Sequence, residues 1–323
     1  MSNQKNSYSF PLKKVTKIDM QKQRAMIKII LKLKSGNIVV GSYGAVLTIW
    51  DPKTKNLIQG LRANGMVNDL IELDNEDLIT CCSGSGPASI SIFRFDNKVQ
   101  LKYVKISDIK SDDFLLSAMV KLDKDKFLYG SMDNNVVFIA KDEKSDTYKE
   151  EKKIKLESKD EDDCIYCIIK ISNGNFISTG LSYVKLINSE SFKLIKDIYF
   201  SQPSCLYEDS KKNIWVGNSP GSILILDSEL NKIKELENIH KLQINKFVEF
   251  DNHIISASTD FKMKVWDINT YECLDTIEGY GEITAISLIN ENSLVTAQGI
   301  PQTDDKEYYD EEDLLQFLVY YEK

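Results

Sequence analysis

Short stretches that alternate apolar with polar or small residues recur along the whole chain, and a polar turn follows each of them. The clearest copy spans residues 254–267: residues 254–258 alternate, a turn follows at 259–261, and residues 263–266 alternate again. Alternation with a period of two around a short turn is typical of two half-buried antiparallel strands. This stretch therefore predicts a tight β-hairpin.

Seven units of this kind can be aligned, and each one opens on an apolar residue and closes its second strand on a small one. The opening residues are Ile27, Val67, Leu116, Ile165, Pro203, Ile244 and Ile283. The closing residues are Gly41, Cys81, Gly130, Thr179, Gly217, Ala257 and Ala297. The two positions are 14 residues apart in six units and 13 in the other, and the units recur every 38–49 residues. A third and usually a fourth strand follow each hairpin, so the pattern predicts repeated four-stranded sheets.

The sixth unit carries a set of polar residues at a specific spacing. His240 lies 26 residues before Trp266, and Asp260 lies 6 residues before it. This arrangement resembles the WD40 repeat family, in which a Trp indole, a Ser or Thr hydroxyl, His and Asp form one hydrogen-bonded chain. The resemblance implies an all-β, seven-bladed β-propeller and a structural tetrad with Ser256 or Ser258 as the hydroxyl. The other units lack parts of this set, so the repeats are degenerate.

The seventh unit reaches the end of the chain after three strands, which would leave an open edge in a closed ring. Near the N-terminus, Tyr8, Phe10, Leu12 and Val15 alternate with polar residues. We expect residues 7–18 to form the fourth strand of this last blade, within a single domain of residues 7–323 that follows a disordered tail at residues 1–6.

Composition limits the classes of partner. The net charge of −8 opposes nucleic acid as a partner, because such binding depends on Lys and Arg facing phosphates. No apolar run is long enough for a membrane span or a signal peptide, and six scattered cysteines do not suggest a disulfide framework. We expect a soluble, cytoplasmic protein of eukaryotic type, with the nucleus or a cilium as alternatives, and no cofactor.

Two motifs that suggest other chemistry have simpler interpretations. Cys164 and Cys167 are separated by two residues, but side chains at i and i+3 of one strand point to opposite faces, so buried thiols are favoured over a metal site. The Gly-rich turn at residues 84–87 has no following helix or Lys to cradle a phosphate.

Two charged insertions interrupt the repeats, at residues 141–163 and at residues 302–313. The second contains seven acidic residues, one Lys and the pair Tyr308 and Tyr309. Both suit solvated loops, but the acidic one could also meet a basic surface on a partner, with the tyrosines as anchors.

In the WD40 family, the loops that lead into first strands and the turns inside the hairpins share one face, which commonly recognises partners. The resemblance places the following residues on that face: Lys28, Tyr43, Asn68, Ser117, Met132, Tyr166, Ser204, Asn245, Phe261, Thr284, Tyr308 and Tyr309. We expect a non-catalytic scaffold that binds other proteins as a monomeric ring in a hetero-complex. The alternatives are an enzymatic propeller, of the metal-dependent lactonase or quinoprotein type, and a reader of modified peptides.

Overall fold

The computed structural model describes residues 10–20, 25–84, 87–97, 102–158, 163–301 and 314–323. These residues form 28 β-strands and no helix. The strands are grouped into seven four-stranded antiparallel sheets, and each sheet is one blade. The predicted all-β, seven-bladed propeller is therefore confirmed.

The first strand of the chain, β1 (Lys13–Asp19), belongs to the last blade, and the other blades follow in chain order. Blade 1 contains β2 (Ile27–Lys32), β3 (Ile38–Ser42), β4 (Val46–Trp50) and β5 (Leu57–Arg62). Blade 2 contains β6 (Met66–Glu72), β7 (Leu78–Ser83), β8 (Ser89–Asp96) and β9 (Lys102–Lys110). Blade 3 contains β10 (Leu116–Asp123), β11 (Lys126–Ser131), β12 (Asn135–Asp142) and β13 (Thr147–Lys155).

The remaining blades have the same order of strands. Blade 4 contains β14 (Cys167–Lys170), β15 (Phe176–Thr179), β16 (Tyr183–Ile187) and β17 (Leu194–Tyr199). Blade 5 contains β18 (Pro203–Glu208), β19 (Ile214–Asn218), β20 (Ile223–Leu226) and β21 (Lys232–Leu236). Blade 6 contains β22 (Ile244–Phe250), β23 (His253–Ser258), β24 (Lys262–Asp267) and β25 (Cys273–Glu278). Blade 7 contains β26 (Glu282–Asn290), β27 (Ser293–Pro301) and β28 (Leu314–Glu322), with β1 as its outer strand.

The first strands of the blades line the centre of a closed ring. The first strand of every blade contacts that of the next, and β26 of blade 7 contacts β2 of blade 1. The core lies between the blades, where the facing sides of neighbouring sheets bury their Ile, Val, Leu and aromatic side chains in separate clusters. Because both faces of a blade are covered, the second and third strands are buried along most of their length.

The ring is closed by β1, as predicted, although its position differs from the prediction. It pairs antiparallel with β28 from Lys13 opposite Glu322 to Asp19 opposite Phe317. The predicted closing segment began at residue 7, but the strand begins at Lys13, and residues 1–9 lie outside the described part of the chain. Phe10 and Leu12 are buried before the strand begins, in the cluster between blades 6 and 7. Val15 does not share this burial, because it lies at a bulge between Lys14 and Thr16 and is 48% exposed.

The insertion at residues 141–163 contains less loop than its charge suggested. The third strand of blade 3 extends to Asp142 and the fourth runs from Thr147 to Lys155, so more than half of the insertion up to Lys155 is strand. The Lys and Glu side chains at 149–153 are all exposed on this outer strand, which needs little apolar content. The acidic insertion at residues 302–313 lies outside the described residues.

Candidate partner-binding face

One face of the ring collects the loops that lead into each first strand and the turns between second and third strands. We call this the upper face. Both sets of connections lie there because neighbouring strands in every blade are antiparallel. The hairpin tips between first and second strands, and between third and fourth strands, lie on the opposite, lower face.

A bulge recurs at the upper end of the first strand in six blades. In each case the ladder shifts at the residue that follows the opening apolar residue. The bulged residues are Lys28, Asn68, Ser117, Ser204, Asn245 and Thr284. In blade 4 the strand begins at Cys167, so Tyr166 precedes it at the same place. Since an extra residue in one strand redirects its side chain, the bulges account for the way these positions gather at the mouth of the channel.

Four of these side chains connect neighbouring blades rather than facing solvent freely. Each donates a hydrogen bond to the backbone carbonyl of the residue that opens the next blade. The bonds are Asn68 Nδ2 to Leu116 O at 2.7 Å, Ser117 Oγ to Ile165 O, Ser204 Oγ to Ile244 O at 2.6 Å, and Asn245 Nδ2 to Ile283 O at 2.8 Å. Their polar groups therefore stabilise the ring, and a partner would meet them already hydrogen-bonded.

A cavity of about 480 Å³ opens at the centre of the upper face. Seven of the residues placed on this face by the sequence line it: Lys28, Tyr43, Asn68, Ser117, Met132, Tyr166 and Ser204. The sequence did not indicate the other lining residues, which are Leu115, Leu181, Gln202, Pro203, Ser219 and Gln243. The set combines apolar and aromatic side chains with a few polar ones, as is usual for binding sites.

The other predicted contact residues are placed differently. Asn245 and Thr284 are not in the lining of the cavity, and Thr284 is only 8% exposed. Phe261 is 42% exposed on the turn of blade 6, where its backbone is left-handed with φ of 71°. Tyr308 and Tyr309 lie outside the described residues, so their proposed role as anchors stays a prediction.

The structure adds an apolar rim that the sequence reading missed. We use this name for Phe114, Leu242 and Tyr280, whose side chains are 80%, 50% and 45% exposed. All three lie on loops that lead into first strands. The sequence has three consecutive apolar residues at 114–116, and only Leu116 is needed for the core. This run could have indicated an exposed apolar side chain.

Each rim loop is held by a side chain from the same blade. Phe114 N donates to Asp133 Oδ2 at 2.6 Å, and Tyr280 N donates to Gln298 Oε1 at 2.6 Å. Beside Leu242, the N–H of Lys241 donates to Asp260 Oδ2 at 2.9 Å. Exposed apolar side chains on ordered loops are typical of protein interaction surfaces.

Asp69, Lys28 and Lys246 form a set of interacting charges at the channel. Asp69 accepts hydrogen bonds from Met119 N at 2.7 Å and from Leu70 N at 2.9 Å. Burial raises the pKa of Asp69, while the positive charges of Lys246 and Lys28 oppose that rise. Two lysines thus act on one carboxylate at the channel.

The tetrad residues of blade 6 meet in one hydrogen-bonded chain. Trp266 Nε1 donates to Ser256 Oγ at 3.0 Å, and Ser256 Oγ lies 2.8 Å from His240 Nε2. His240 Nδ1 lies 3.0 Å from Asp260 Oδ2. Ser256 therefore provides the bridging hydroxyl. Ser258 instead accepts from Asp260 N at 3.1 Å and donates to Leu242 O at 3.2 Å.

Other blades place different polar groups at the corresponding junction. In blade 4, a buried ion pair joins Lys185 to Asp163, and Ser158 Oγ donates to the same carboxylate at 2.7 Å. In blade 2, Asn64 Nδ2 donates to Ser89 Oγ at 3.1 Å. In both blades a polar side chain of the incoming loop is tied to the third strand.

The described residues contain no cluster of three or more His, Cys, Asp or Glu side chains that could hold a metal ion. All six cysteines are free, and Cys164 lies in the loop before β14, so the sequence reading that placed it inside the strand is wrong. None of the described segments forms a helix with the length and apolarity needed to cross a bilayer.

The ring of seven four-stranded blades and the hydrogen-bonded tetrad define a β-propeller built from degenerate repeats. No family model matches the chain. Over 80 residues it is 39% identical to a WD repeat-containing protein 89 homolog of Dictyostelium discoideum, a match that covers 24% of this chain and 21% of that protein. The fold and this similarity support a WD40-repeat β-propeller. The matched segment spans about a fifth of the length of this relative.

Proposed function

We propose that this protein is a non-catalytic scaffold that holds other proteins together within a larger intracellular complex. The observation that carries the proposal is the upper face, where a central cavity is combined with the apolar rim of Phe114, Leu242 and Tyr280. Large apolar side chains on pinned loops offer contact area at low entropic cost, because the loops are already ordered. We propose a cytoplasmic setting because the six scattered cysteines of the sequence do not suggest a disulfide framework.

The chemistry of the cavity supports binding over catalysis. Its hydroxyl groups at Ser117 and Ser204 donate to backbone carbonyls and have no base beside them. A nucleophilic mechanism requires a hydroxyl or thiol within reach of an oriented base. The described lining contains no His and no carboxylate.

The test is affinity purification from the native cell followed by mass spectrometry. The wild type is compared with a variant in which Tyr43, Met132 and Tyr166 are all replaced by Ala, and with the single variant Phe114→Ser. We expect the wild type to bring down a stoichiometric set of proteins, and both variants to lose part of that set while keeping a native thermal transition.

A matched control removes apolar surface elsewhere. Leu57, Ile195 and Ile233 are 53%, 50% and 42% exposed on the outer strands of blades 1, 4 and 5. Replacing these three by Ala should leave the co-purified set intact. The proposal fails if the upper-face variants retain every partner, or if the outer-strand variant loses the same ones.

A further inference from the structure

The cavity on the upper face carries one positive charge and no negative charge among its described lining residues. Lys28 is the charged member, and the remaining side chains are apolar, aromatic, hydroxyl or amide. This is unusual in a chain whose net charge is −8. Within the described part of the chain, no carboxylate forms an ion pair with the Lys28 ammonium, which is exposed at the channel mouth.

Asp69, the carboxylate deeper in the channel, does not cancel this charge. It is already bonded to two backbone N–H groups, and both Lys246 and Lys28 act on it. Lys246 and Lys28 thus bring two positive charges to act on this one carboxylate. An anionic group entering the cavity would therefore be favoured by its surroundings.

The remainder of the cavity suits an apolar side chain. Leu115, Met132 and Leu181 contribute aliphatic surface, and Tyr43 and Tyr166 contribute aromatic surface. A volume of about 480 Å³ is enough for one or two side chains but not for a folded domain. Met in such a lining adapts to different apolar shapes.

We infer that the channel mouth binds an acidic peptide segment of a partner, with an apolar or aromatic side chain in the cavity and a carboxylate of the same segment against the Lys28 ammonium. This inference rests on the proposed function, since it specifies the partner chemistry of the same face. Gln202, whose backbone is held in a left-handed conformation with φ of 49°, lies in the lining beside Ser204 and presents an amide that can hydrogen-bond the backbone of the segment.

Other ligands fit this arrangement less well. A phosphoryl group carries nearly two charges and is usually held by several cations or a bidentate Arg, whereas the cavity offers one Lys. A methylated Lys or Arg would be repelled by Lys28, and no carboxylate in the described lining compensates. A lipid surface needs a flat or convex apolar patch, whereas this site is concave.

The experiment begins with a display library of random short peptides selected on the purified full chain. We expect the selected peptides to combine Leu, Phe or Met with a nearby Asp or Glu. A synthetic peptide of the selected sequence is then titrated against the wild type, Lys28→Gln and Lys28→Glu. Removing the charge should weaken binding, reversing it should weaken binding by about tenfold or more, and added salt should weaken binding to the wild type.

Lys193→Glu is the matched control, because it makes the same change of charge at an exposed lysine on the lower face. It should bind the peptide like the wild type, and the circular dichroism spectra of all variants should be native.

Three results would overturn the inference: selection of neutral or basic peptides, equal binding by the Lys28→Glu and Lys193→Glu variants, or no peptide binding. If peptides without acidic residues bind and the variant with Tyr43, Met132 and Tyr166 replaced loses them, the inference fails while the proposed function stands. If that same variant retains every co-purified protein, the proposed function itself fails.

Discussion

Ile165, which opens blade 4, rests directly on Gly130 at the end of the second strand of blade 3. A Cβ atom on Gly130 would stand 2.5 Å from Ile165 Cγ2. Gly41 meets Val67 in the same way between blades 1 and 2, with a separation of 2.6 Å. The small residue that recurs in the sequence is therefore the site where the opening residue of the next blade makes contact.

Replacing Gly130 with Ala should destabilise the ring by about 1–3 kcal/mol, because the added methyl group overpacks a buried contact between two blades. Urea unfolding measures the change. Gly60→Ala is the control, since no heavy atom lies within 4 Å of a Cβ at that position on the outer strand of blade 1. Equal stability of the two variants would contradict this account of the repeat.

This contact explains why the fold was predictable from the sequence. The opening apolar residue and the small residue recur at fixed spacing because each blade repeats the same contact with its neighbour. The boundaries of outer strands were less predictable, as β13 of blade 3 shows. Its Lys and Glu side chains face solvent, so their pattern resembles that of a loop.

Ser256→Ala should cost about 2–4 kcal/mol of the free energy of unfolding. The hydroxyl accepts from Trp266 Nε1 and lies 2.8 Å from His240 Nε2, so its removal leaves two buried polar groups without this partner. Urea unfolding followed by Trp fluorescence measures the loss.

Ser258→Ala is the comparison for that change. Its hydroxyl is bonded to Asp260 N and Leu242 O, and not to His240 or Trp266. We expect it to destabilise the protein less than Ser256→Ala. The opposite order would show that Ser256 does not hold the network together.

Asp260 should make the stability of the ring depend on acid pH. Burial alone would raise its pKa, but hydrogen bonds from His240 and from Lys241 N lower the pKa to about 2, against 3.8 for a free Asp. A lowered pKa in the fold means that the ionised form is stabilised. The contribution is therefore fully present above about pH 4 and is lost as the pH falls toward about 2.

The measurement is the urea midpoint of the wild type and of Asp260→Asn across this acid range. The wild type should lose about 2 kcal/mol more than the variant between about pH 5 and about pH 2, because Asn does not titrate. Parallel pH profiles of the two proteins would rule out this role for the carboxylate.

The upper face was predictable only in part. The residues after each opening position could be predicted because the bulge of the first strand falls at the same position in nearly every repeat. Their hydrogen bonds could not be found in this way, since the bond from Asn68 to Leu116 O depends on the distance between two blades. Phe114 was missed because its exposure depends on how Asp133 holds the loop.

Removing residues 1–19 should lower the melting temperature by about 10 °C or more, because β28 would lose the strand that closes the ring. The truncation also removes the Lys17 ammonium that lies 3.5 Å from the centre of the Phe317 ring. A synthetic peptide of residues 10–19 added to the truncated protein should restore part of the transition.

Two point variants separate closure from a general effect of the N-terminus. Phe10→Ser should destabilise the protein, since Phe10 is 3% exposed and its ring lies 6.1 Å from that of Phe250. Val15→Ser should have little effect, since Val15 points to solvent at the bulge.

Differential scanning calorimetry of the truncation, with and without the peptide, then decides the role of β1. If the truncated ring keeps the wild-type melting temperature, the pairing of β1 with β28 is not what holds blades 7 and 1 together, and the direct contact between β2 and β26 must be sufficient.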